Sequence, residues 1–389
     1  MNFNIEIEEV RSFFPVTKNL IYFDHAAVSP IHKGTEKVIA EYTSHFLNYG
    51  IKDYTKWVER IEGVREGFAK FIGADASEIA FTKGTAAGIS IFANGLEFKS
   101  GENVIVPDFE FPSNIYPWMN LKDRGVSVKF LKSPNNFINP DDIAELIDKN
   151  TRVVAISHVE FLNGYKNDLK RISEICKQKS VEFGRKIYLC VDAIQSLGAL
   201  KLDVSGFDVS DVEIDFLAMD GHKWFLAMEG AGVIYCNKNI LNDIKPVSVG
   251  WKSIKDKLNF TNINFDLDTT AAKFEEGSMN LAGILSLEAS LELFNRYGID
   301  NIEKRILSLT DLAISQLEER EIKISSCKNP ENRSGIVTFL HPDADKLFLK
   351  LLANNVQLSK RGEGLRISPH FYNTEDEIFR FLEILDKNK

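Results

Sequence analysis

The sequence predicts an α/β protein whose larger part is a mainly parallel sheet of seven strands between helices. From about residue 78 to residue 236, short apolar runs alternate with helical patterns, which is typical of a sheet covered by helices. Several runs, such as Val153-Val154-Ala155-Ile156, are continuously apolar, and this indicates strands that are covered on both faces. The predicted strands lie at residues 78–82, 103–107, 126–131, 152–157, 186–192, 215–219 and 232–236.

The pattern changes after about residue 280, where a smaller α+β unit is predicted. Apolar residues recur there at helical spacing, and short strands are predicted at residues 335–340 and 364–368. Thr374 and Glu377 form a predicted capping box at the start of the last helix. We therefore predict a large domain at residues 21–280 and a small domain made of residues 1–20 and 281–389.

Composition excludes several classes of protein. A chain of 389 residues with 44% hydrophobic content and a net charge of −9 is expected to be soluble and not to have nucleic acid as its main partner. No signal peptide or membrane-spanning run is recognisable. The four cysteines form no C-x-x-C pair, which is typical of a reduced, cytoplasmic protein. The seven histidines form no H-E-x-x-H motif, so no metal site is predicted.

The run Asp220-Gly221-His222-Lys223-Trp224 follows an apolar stretch at residues 214–219 that reads as a buried strand. A lysine at the end of such a strand is partly desolvated, and placing it there costs free energy. Lys223 is therefore a candidate nucleophile that forms a Schiff base with a carbonyl cofactor. From these five residues alone, a surface lysine whose stem packs along the protein remains an alternative.

Two further features follow predicted strands. Gly84, Thr85 and Ala86 lie between a strand and a helix, where free backbone N–H groups attract phosphate, although an ordinary turn has the same pattern. This segment is not a P-loop, because G-x-x-x-x-G-K-[ST] is absent. Asp192 ends a strand where open α/β sheets bind ligands, and it could pair with a pyridinium N–H or cap the next helix.

Phe111 and Arg366 complete the set of candidate site residues. Phe111 follows a predicted strand and could stack on a flat heteroaromatic ring, or it could be one of many core phenylalanines. Arg366 lies inside an apolar strand, where a guanidinium can bind a carboxylate through two parallel hydrogen bonds. A structural ion pair is the alternative for Arg366.

Taken together, the order and spacing of these features resemble those of the class V aminotransferase family of fold-type I pyridoxal-phosphate (PLP) enzymes. That family includes cysteine desulfurases, selenocysteine lyases, kynureninase and isopenicillin N epimerase-like proteins. The resemblance runs from Tyr22-Phe23-Asp24-His25-Ala26-Ala27 to Tyr372-Asn373-Thr374. It implies PLP as the cofactor, an amino acid or keto acid as the substrate, and a homodimer with shared active sites.

The resemblance also implies roles for individual residues. Lys223 would hold PLP as the internal aldimine, Asp192 would pair with the pyridinium nitrogen and Gln195 with the phenolic oxygen. Cofactor binding is implied for Gly84, Thr85, Ala86, Phe111, Asp192, Gln195, His222, Lys223, Gly277 and Ser278, of which the last two would reach the phosphate of the neighbouring subunit.

Substrate contacts are implied for fewer residues. Arg366 matches the arginine that binds the substrate α-carboxylate, and His25 and Ala27 are expected near it. Further candidates at the mouth of the pocket are Tyr49, Trp251 and Arg361, although a structural role explains each of them better than a role in substrate choice.

Two positions depart from the family pattern. Asp220 stands where family members often carry a serine that binds phosphate, and Phe161 stands where cysteine desulfurases usually place an asparagine. The carboxylate of an aspartate would repel the phosphate dianion unless it points away from it. The pattern is closer to the epimerase-like branch of the family.

The resemblance is compatible with several reactions, of which one is disfavoured by the sequence. Persulfide-forming desulfurases need a cysteine on a loop shortly before the substrate arginine, and residues 356–363 contain none. Because transamination is the generic activity of the family, the resemblance implies an aminotransferase that acts at Cα through a quinonoid intermediate. The alternatives are a C–S or C–Se lyase, an amino-acid epimerase and, remotely, a PLP-fold binding protein without catalysis. The amino acid that serves as the substrate is not predicted.

Overall fold

The computed structural model describes residues 6–205, 212–261 and 263–387. In the first half of the chain the elements are α1 (Ile7–Ser12), β1 (Ile21–Tyr22), α2 (Lys33–Tyr49), α3 (Tyr54–Ile72), β2 (Ile79–Thr82), α4 (Thr85–Gly95), β3 (Asn103–Pro107), α5 (Tyr116–Met119), β4 (Ser127–Leu131), α6 (Pro140–Leu146), β5 (Thr151–Ser157), α7 (Leu169–Phe183) and β6 (Tyr188–Asp192). The second half contains β7 (Phe216–Asp220), β8 (Gly232–Cys236), α8 (Leu281–Tyr297), α9 (Ile299–Glu319), β9 (Val337–Leu340), α10 (Ala344–Ala353), β10 (Val356–Gln357), β11 (Ser359–Arg361), β12 (Gly364–Ile367) and α11 (Glu375–Asp386).

The central sheet has seven strands in the order β2-β8-β7-β6-β5-β3-β4. Only β8 runs against its neighbours, since it pairs antiparallel with both β2 and β7, while the other pairs are parallel. The predicted mainly parallel, seven-stranded α/β fold is therefore confirmed. Because β3, β5, β6 and β7 are parallel, their carboxyl ends meet at one edge of the sheet, where open α/β sheets bind ligands.

The two faces of the sheet pack into separate cores. On β5, Val154 and Ile156 belong to one apolar cluster and Val153 and Ala155 to the other. Successive side chains of a strand point to opposite faces, so a strand that is covered on both sides must be apolar at every position. This explains the continuous apolar runs in the sequence.

The C-terminal unit has a third core around a small antiparallel sheet of order β11-β12-β9. The N-terminal segment joins it, because β1 pairs in parallel with β10 and the Arg11 side chain donates to the carbonyl of Tyr372 and to Glu377. The predicted capping box of Thr374 and Glu377 is present at the start of α11. The domain boundary near residue 280 stays a prediction, and residues 1–5 and 388–389 of the predicted small domain lie outside the described residues.

No helix in the described ranges is long and apolar enough to cross a membrane. Within the same ranges, no group of three or more His, Cys, Asp or Glu side chains is arranged to hold a metal ion.

Candidate active site

A cavity of about 580 Å³ lies at the carboxyl edge of the central sheet. It brings together most of the site residues that the sequence predicts. Those that line it are Ala27, Gly84, Thr85, Ala86, Phe111, Asp192, Gln195, His222, Lys223 and Arg366. His25, Gly277 and Ser278 do not line it.

Lys223 follows β7 and is buried, with 8% of its surface exposed. Its Nζ lies 5.3 Å from the centre of the Phe111 ring. Burial lowers the pKa of Lys223 to about 8, although the nearby Asp192 carboxylate opposes this shift. A buried amine with a lowered pKa is partly neutral near pH 8, which is the state that attacks a carbonyl. This geometry excludes the alternative of a surface lysine.

Asp192 ends β6 with its side chain buried. Its Oδ1 accepts the backbone N–H of Ile194 at 2.9 Å, and residues 193–200 form turns rather than a helix. Burial raises the pKa of Asp192 to about 6, while the Ile194 N–H and the Lys223 ammonium oppose the shift. The alternative role of capping a helix is therefore wrong, and the carboxylate faces the cavity.

Gln195 is fixed by two hydrogen bonds. Its Nε2 donates to the carbonyl of Ala26 at 3.0 Å, and its Oε1 accepts the indole N–H of Trp224 at 2.9 Å. A primary amide has two N–H donors, so one remains for a ligand in the cavity.

The start of α4 forms a small cradle beside the ends of β7 and β8. Gly84 precedes the helix with φ 143°, a conformation that other residues rarely adopt. A Cβ on Gly84 would lie 2.6 Å from Oδ2 of Asp220, and a Cβ on Gly232 would lie 2.3 Å from the backbone nitrogen of Gly84. The hydroxyl of Thr85 is buried and has no hydrogen-bond partner among the described residues. Both glycines are therefore needed for this close approach.

Arg366 lies on β12 and is 1% exposed. Its Nη1 donates to the carbonyl of Phe161 at 2.7 Å, whereas Nε and Nη2 have no hydrogen-bond partner in the described structure. The closest carboxylate is Asp24, at 3.9 Å from Nη2. Burial, aided by Arg361, lowers the pKa of Arg366 to about 9, so it remains a cation near neutral pH. Two free donors on a buried cation favour a ligand over the alternative of a structural ion pair.

Phe111 is not a core residue, since 41% of its surface is exposed at the cavity. Its ring contacts Phe161 edge to face, with the centres 5.2 Å apart. Phe161, which stands where cysteine desulfurases usually place an asparagine, therefore lines the cavity next to Phe111.

His25 is 0% exposed, and both of its ring nitrogens are engaged. Nδ1 lies 2.7 Å from the carbonyl of Ser368, and Nε2 lies 2.7 Å from the hydroxyl of Tyr372. Burial lowers the pKa of His25 well below its usual range. The expectation that His25 contacts substrate is corrected, because its ring joins the N-terminal segment to the C-terminal unit instead.

Gly277 and Ser278 line a different cavity of about 540 Å³. Trp251 lies next to them, since a Cβ on Gly277 would be 3.3 Å from its indole nitrogen. Of the other candidates for the pocket mouth, Arg361 lines the cavity of Lys223, whereas Tyr49 is exposed and does not.

Sequence reasoning missed two buried carboxyl groups behind the cavity. Glu110 accepts hydrogen bonds from the backbone N–H and the hydroxyl of Ser157, and Ser157 lies opposite Asp192 in the β5–β6 pair. Glu160 accepts from Asn167 at 2.8 Å. Burial, then the charge of Asp192, raises the pKa of Glu110 to about 8.

Burial, then the charge of Glu110, raises the pKa of Glu160 well above its usual range. Three adjacent strands, β3, β5 and β6, thus carry a buried carboxyl group at or soon after their carboxyl ends. The sequence pattern that could have indicated these buried carboxyl groups is an acidic residue inside an apolar run after a strand, as in Phe109-Glu110-Phe111.

The family model "Aminotransferase class-V" matches residues 21–381. The chain belongs to the class V aminotransferase family. Among curated relatives, it is 30% identical over 410 residues to a probable cysteine desulfurase of Methanothermobacter thermautotrophicus, covering 98% of this chain and 97% of that protein. It is 32% identical over 340 residues to a cysteine desulfurase of Wigglesworthia glossinidia brevipalpis, covering 83% and 80%.

Solved structures agree with this class V fold. The apo cysteine desulfurase of Thermococcus onnurineus NA1 superposes with a TM-score of 0.87 at 26% identity, covering 98% of this chain and 97% of that one. The cystine C-S lyase C-DES, in complex with its product cysteine persulfide, has a TM-score of 0.88 at 23% identity, covering 96% and 99%. The predicted family, fold type and PLP cofactor are confirmed. The prediction of an aminotransferase is not confirmed, because these curated relatives are named cysteine desulfurases.

The residues of this class V site fit PLP. The cradle at Gly84, which a Cβ would fill, and the unpartnered Thr85 hydroxyl suit the close approach of an anion at a helix start. The buried Asp192 carboxylate suits a ring N–H, and the buried Lys223 suits the carbonyl. Asp220 is the exception, since its carboxylate lies at the cradle and does not point away.

Proposed function

We propose that this chain is a PLP-dependent lyase that breaks the Cβ–S bond of an amino acid and releases the sulfur in a small molecule. The observation that carries the proposal is a cavity that contains Lys223, Asp192 and Arg366 but no cysteine among its described lining residues. The names of the curated relatives support a reaction at sulfur, and the missing cysteine argues against a persulfide on the protein.

In this proposal four side chains and the start of α4 would hold the cofactor. Lys223 would bind it covalently, Asp192 would accept its ring N–H, and the free N–H of Gln195 would reach its phenolic oxygen. Phe111 would cover one face of the ring, and the N–H groups that follow Gly84 would bind the phosphate.

When bound, PLP supplies an electron sink for the pair that is released when a bond to Cα breaks. Arg366 would bind the substrate carboxylate with its two free donors, and this fixes which Cα bond faces Lys223. Once the substrate amine has taken its place on the cofactor, the freed Nζ of Lys223 would take the Cα proton, because its lowered pKa leaves part of the amine neutral near pH 8. The same nitrogen can return the proton to the departing sulfur.

The cysteines of the chain do not offer a sulfur acceptor. Cys176, Cys190 and Cys236 are buried, and burial raises the pKa of each thiol. Cys327 is half-buried but lies outside the cavity. We therefore propose a substrate that carries its own sulfur leaving group, such as L-cystine, which with water gives pyruvate, ammonia and cysteine persulfide.

A homodimer forms part of the proposal. Gly277 and Ser278 line a neighbouring cavity rather than that of Lys223, and we propose that they reach the cofactor phosphate of a second copy. This supports the shared active sites that the family resemblance implies.

The test is a product analysis with the PLP-loaded protein. L-cystine should yield pyruvate and a persulfide in equal amounts, while L-alanine yields neither, and Lys223→Ala should abolish both products. Keto-acid formation that needs a 2-oxo acid acceptor and releases no sulfur would instead support the aminotransferase. Incorporation of solvent deuterium at Cα as the sole event would support the epimerase.

A further inference from the structure

Asp220 lies at the place where the start of α4 would meet a phosphate group. Its Oδ1 accepts the N–H of Gly221 at 2.8 Å, and its Oδ2 would be 2.6 Å from a Cβ on Gly84. The residue ends β7, and its neighbour across the strand pair is Gly232 of β8. The carboxylate therefore lies beside the start of α4 and does not point away from it.

The position of the Asp220 carboxylate is favourable when the cradle holds no phosphate and unfavourable when a phosphate is bound. A carboxylate is stabilised at a helix N-terminus, where the backbone N–H groups are unsatisfied. A phosphate dianion in the same cradle adds negative charge at close range. Two oxyanions can approach within hydrogen-bond distance only when they share a proton, as paired carboxylates do.

The groups around Asp220 do not already supply that proton. Nδ1 of His222 lies 3.1 Å from Oδ2 but makes no hydrogen bond there, so the contact is misaligned. The Thr85 hydroxyl faces the cradle without a partner. Lys83 is 87% exposed and lies 3.9 Å from Glu276, and the Lys223 ammonium acts on Asp220 only through space.

We propose that Asp220 takes up one proton when the phosphate of the cofactor binds, and that the resulting carboxyl O–H donates a hydrogen bond to a phosphate oxygen. A protonated aspartate then presents a donor where other family members have a serine hydroxyl. Cofactor affinity in this protein is consequently coupled to pH through the phosphate. This inference rests on the proposed cofactor binding.

The experiment uses the apo protein with pyridoxamine 5′-phosphate, which binds without a covalent bond to Lys223, and pyridoxamine as the matched ligand without phosphate. Calorimetric titrations at pH 8 in two buffers with different ionisation enthalpies count the protons taken up. We expect about one more proton to be taken up with pyridoxamine 5′-phosphate than with pyridoxamine, because only the phosphate meets Asp220. One linked proton also changes the Kd by about tenfold per pH unit. The difference between the ligands cancels any titration of Lys223 or Asp192.

Asp220→Ser should abolish the extra proton and bind pyridoxamine 5′-phosphate at least tenfold more tightly at pH 8, with pyridoxamine unchanged. Asp220→Asn should also lose the proton, which provides a second variant if the first folds poorly. His222→Gln should keep the proton uptake, although it weakens binding. Uptake that persists in Asp220→Ser, or that disappears in His222→Gln, overturns the inference. Failure of the wild type to bind pyridoxamine 5′-phosphate at all would instead contradict the proposed function.

Discussion

The indole N–H of Trp224 donates a hydrogen bond to the side-chain oxygen of Gln195 at 2.9 Å. Both residues are buried, and they follow two neighbouring strands, β7 and β6. The bond orients the Gln195 amide so that its NH₂ group points to Ala26 and to the cavity. The residue after Lys223 therefore sets the position of a second candidate cofactor ligand.

Trp224→Phe should lower the free energy of unfolding by about 1–3 kcal/mol, because it leaves a buried amide oxygen unpaired. It should also weaken cofactor binding, because the Gln195 amide becomes free to turn. Urea denaturation and a PLP titration measure the two effects. Trp118→Phe is the matched control. Trp118 is equally buried, and its indole N–H donates to Oδ1 of Asn114 at a distance of 3.3 Å, but neither residue lines the cavity. Loss of PLP binding in both variants would contradict this prediction.

Lys223→Met should stabilise the apo protein at pH 7 by up to about 3 kcal/mol. Burial holds the folded pKa at about 8 against an ordinary value of 10.5, so folding carries the cost of a buried ammonium below pH 8. Between pH 8 and pH 10.5 the unfolded chain binds more protons than the folded protein does, so the wild type gains stability as the pH rises. Urea denaturation should thus show the advantage of the variant disappearing by pH 10.5. The exposed Lys83→Met should show no such dependence.

Glu160→Gln should be more stable than the wild type at pH 8 and nearly equal to it at pH 5. The folded pKa of Glu160 lies well above 4.5, so the folded protein retains a proton that the unfolded chain loses. The stability of the wild type therefore falls as the pH rises above 4.5, and a glutamine removes that loss while its oxygen still accepts from Asn167. Thermal unfolding across pH 5–8 is the measurement, with the exposed Glu182→Gln as the control. Parallel pH curves for Glu160→Gln and the wild type would show that Glu160 ionises normally.

Arg366→Lys should reduce kcat/KM for L-cystine by roughly 10–100-fold, mainly through KM. A lysine keeps the charge but cannot offer the two parallel donors that Nε and Nη2 present. The absorbance of the bound cofactor should not change, because Arg366 binds the substrate in the proposal. Steady-state kinetics measure the effect, and Arg171→Lys, on the exposed part of α7, is the control. An unchanged KM would contradict the assignment of Arg366.

The sheet could be predicted from sequence because its strands are apolar on both faces, as Val153-Val154-Ala155-Ile156 shows. Site residues at strand ends, such as Asp192 and Lys223, were predicted for a related reason. A polar side chain that directly follows a buried strand has few positions open to it other than the carboxyl edge of the sheet.

The position of the His25 side chain could not be predicted from its place next to a strand. Its ring is held by Ser368 and Tyr372, more than 340 positions away in the chain, and no local pattern predicts such contacts. Glu110 and Glu160 were missed because acids in loops are usually exposed, and only the packing of three strand ends shows that they are buried.

The pairing of β1 with β10 has a consequence for the order of events during synthesis. Ile21 pairs with Val356, so the N-terminal segment stays without its partner strand until most of the chain has left the ribosome. The same segment carries Asp24 and Ala26, which lie next to Arg366 and Gln195. Ribosome-bound chains can therefore complete the central sheet before the pocket matures, and a chain released early should fold its large sheet yet fail to retain PLP.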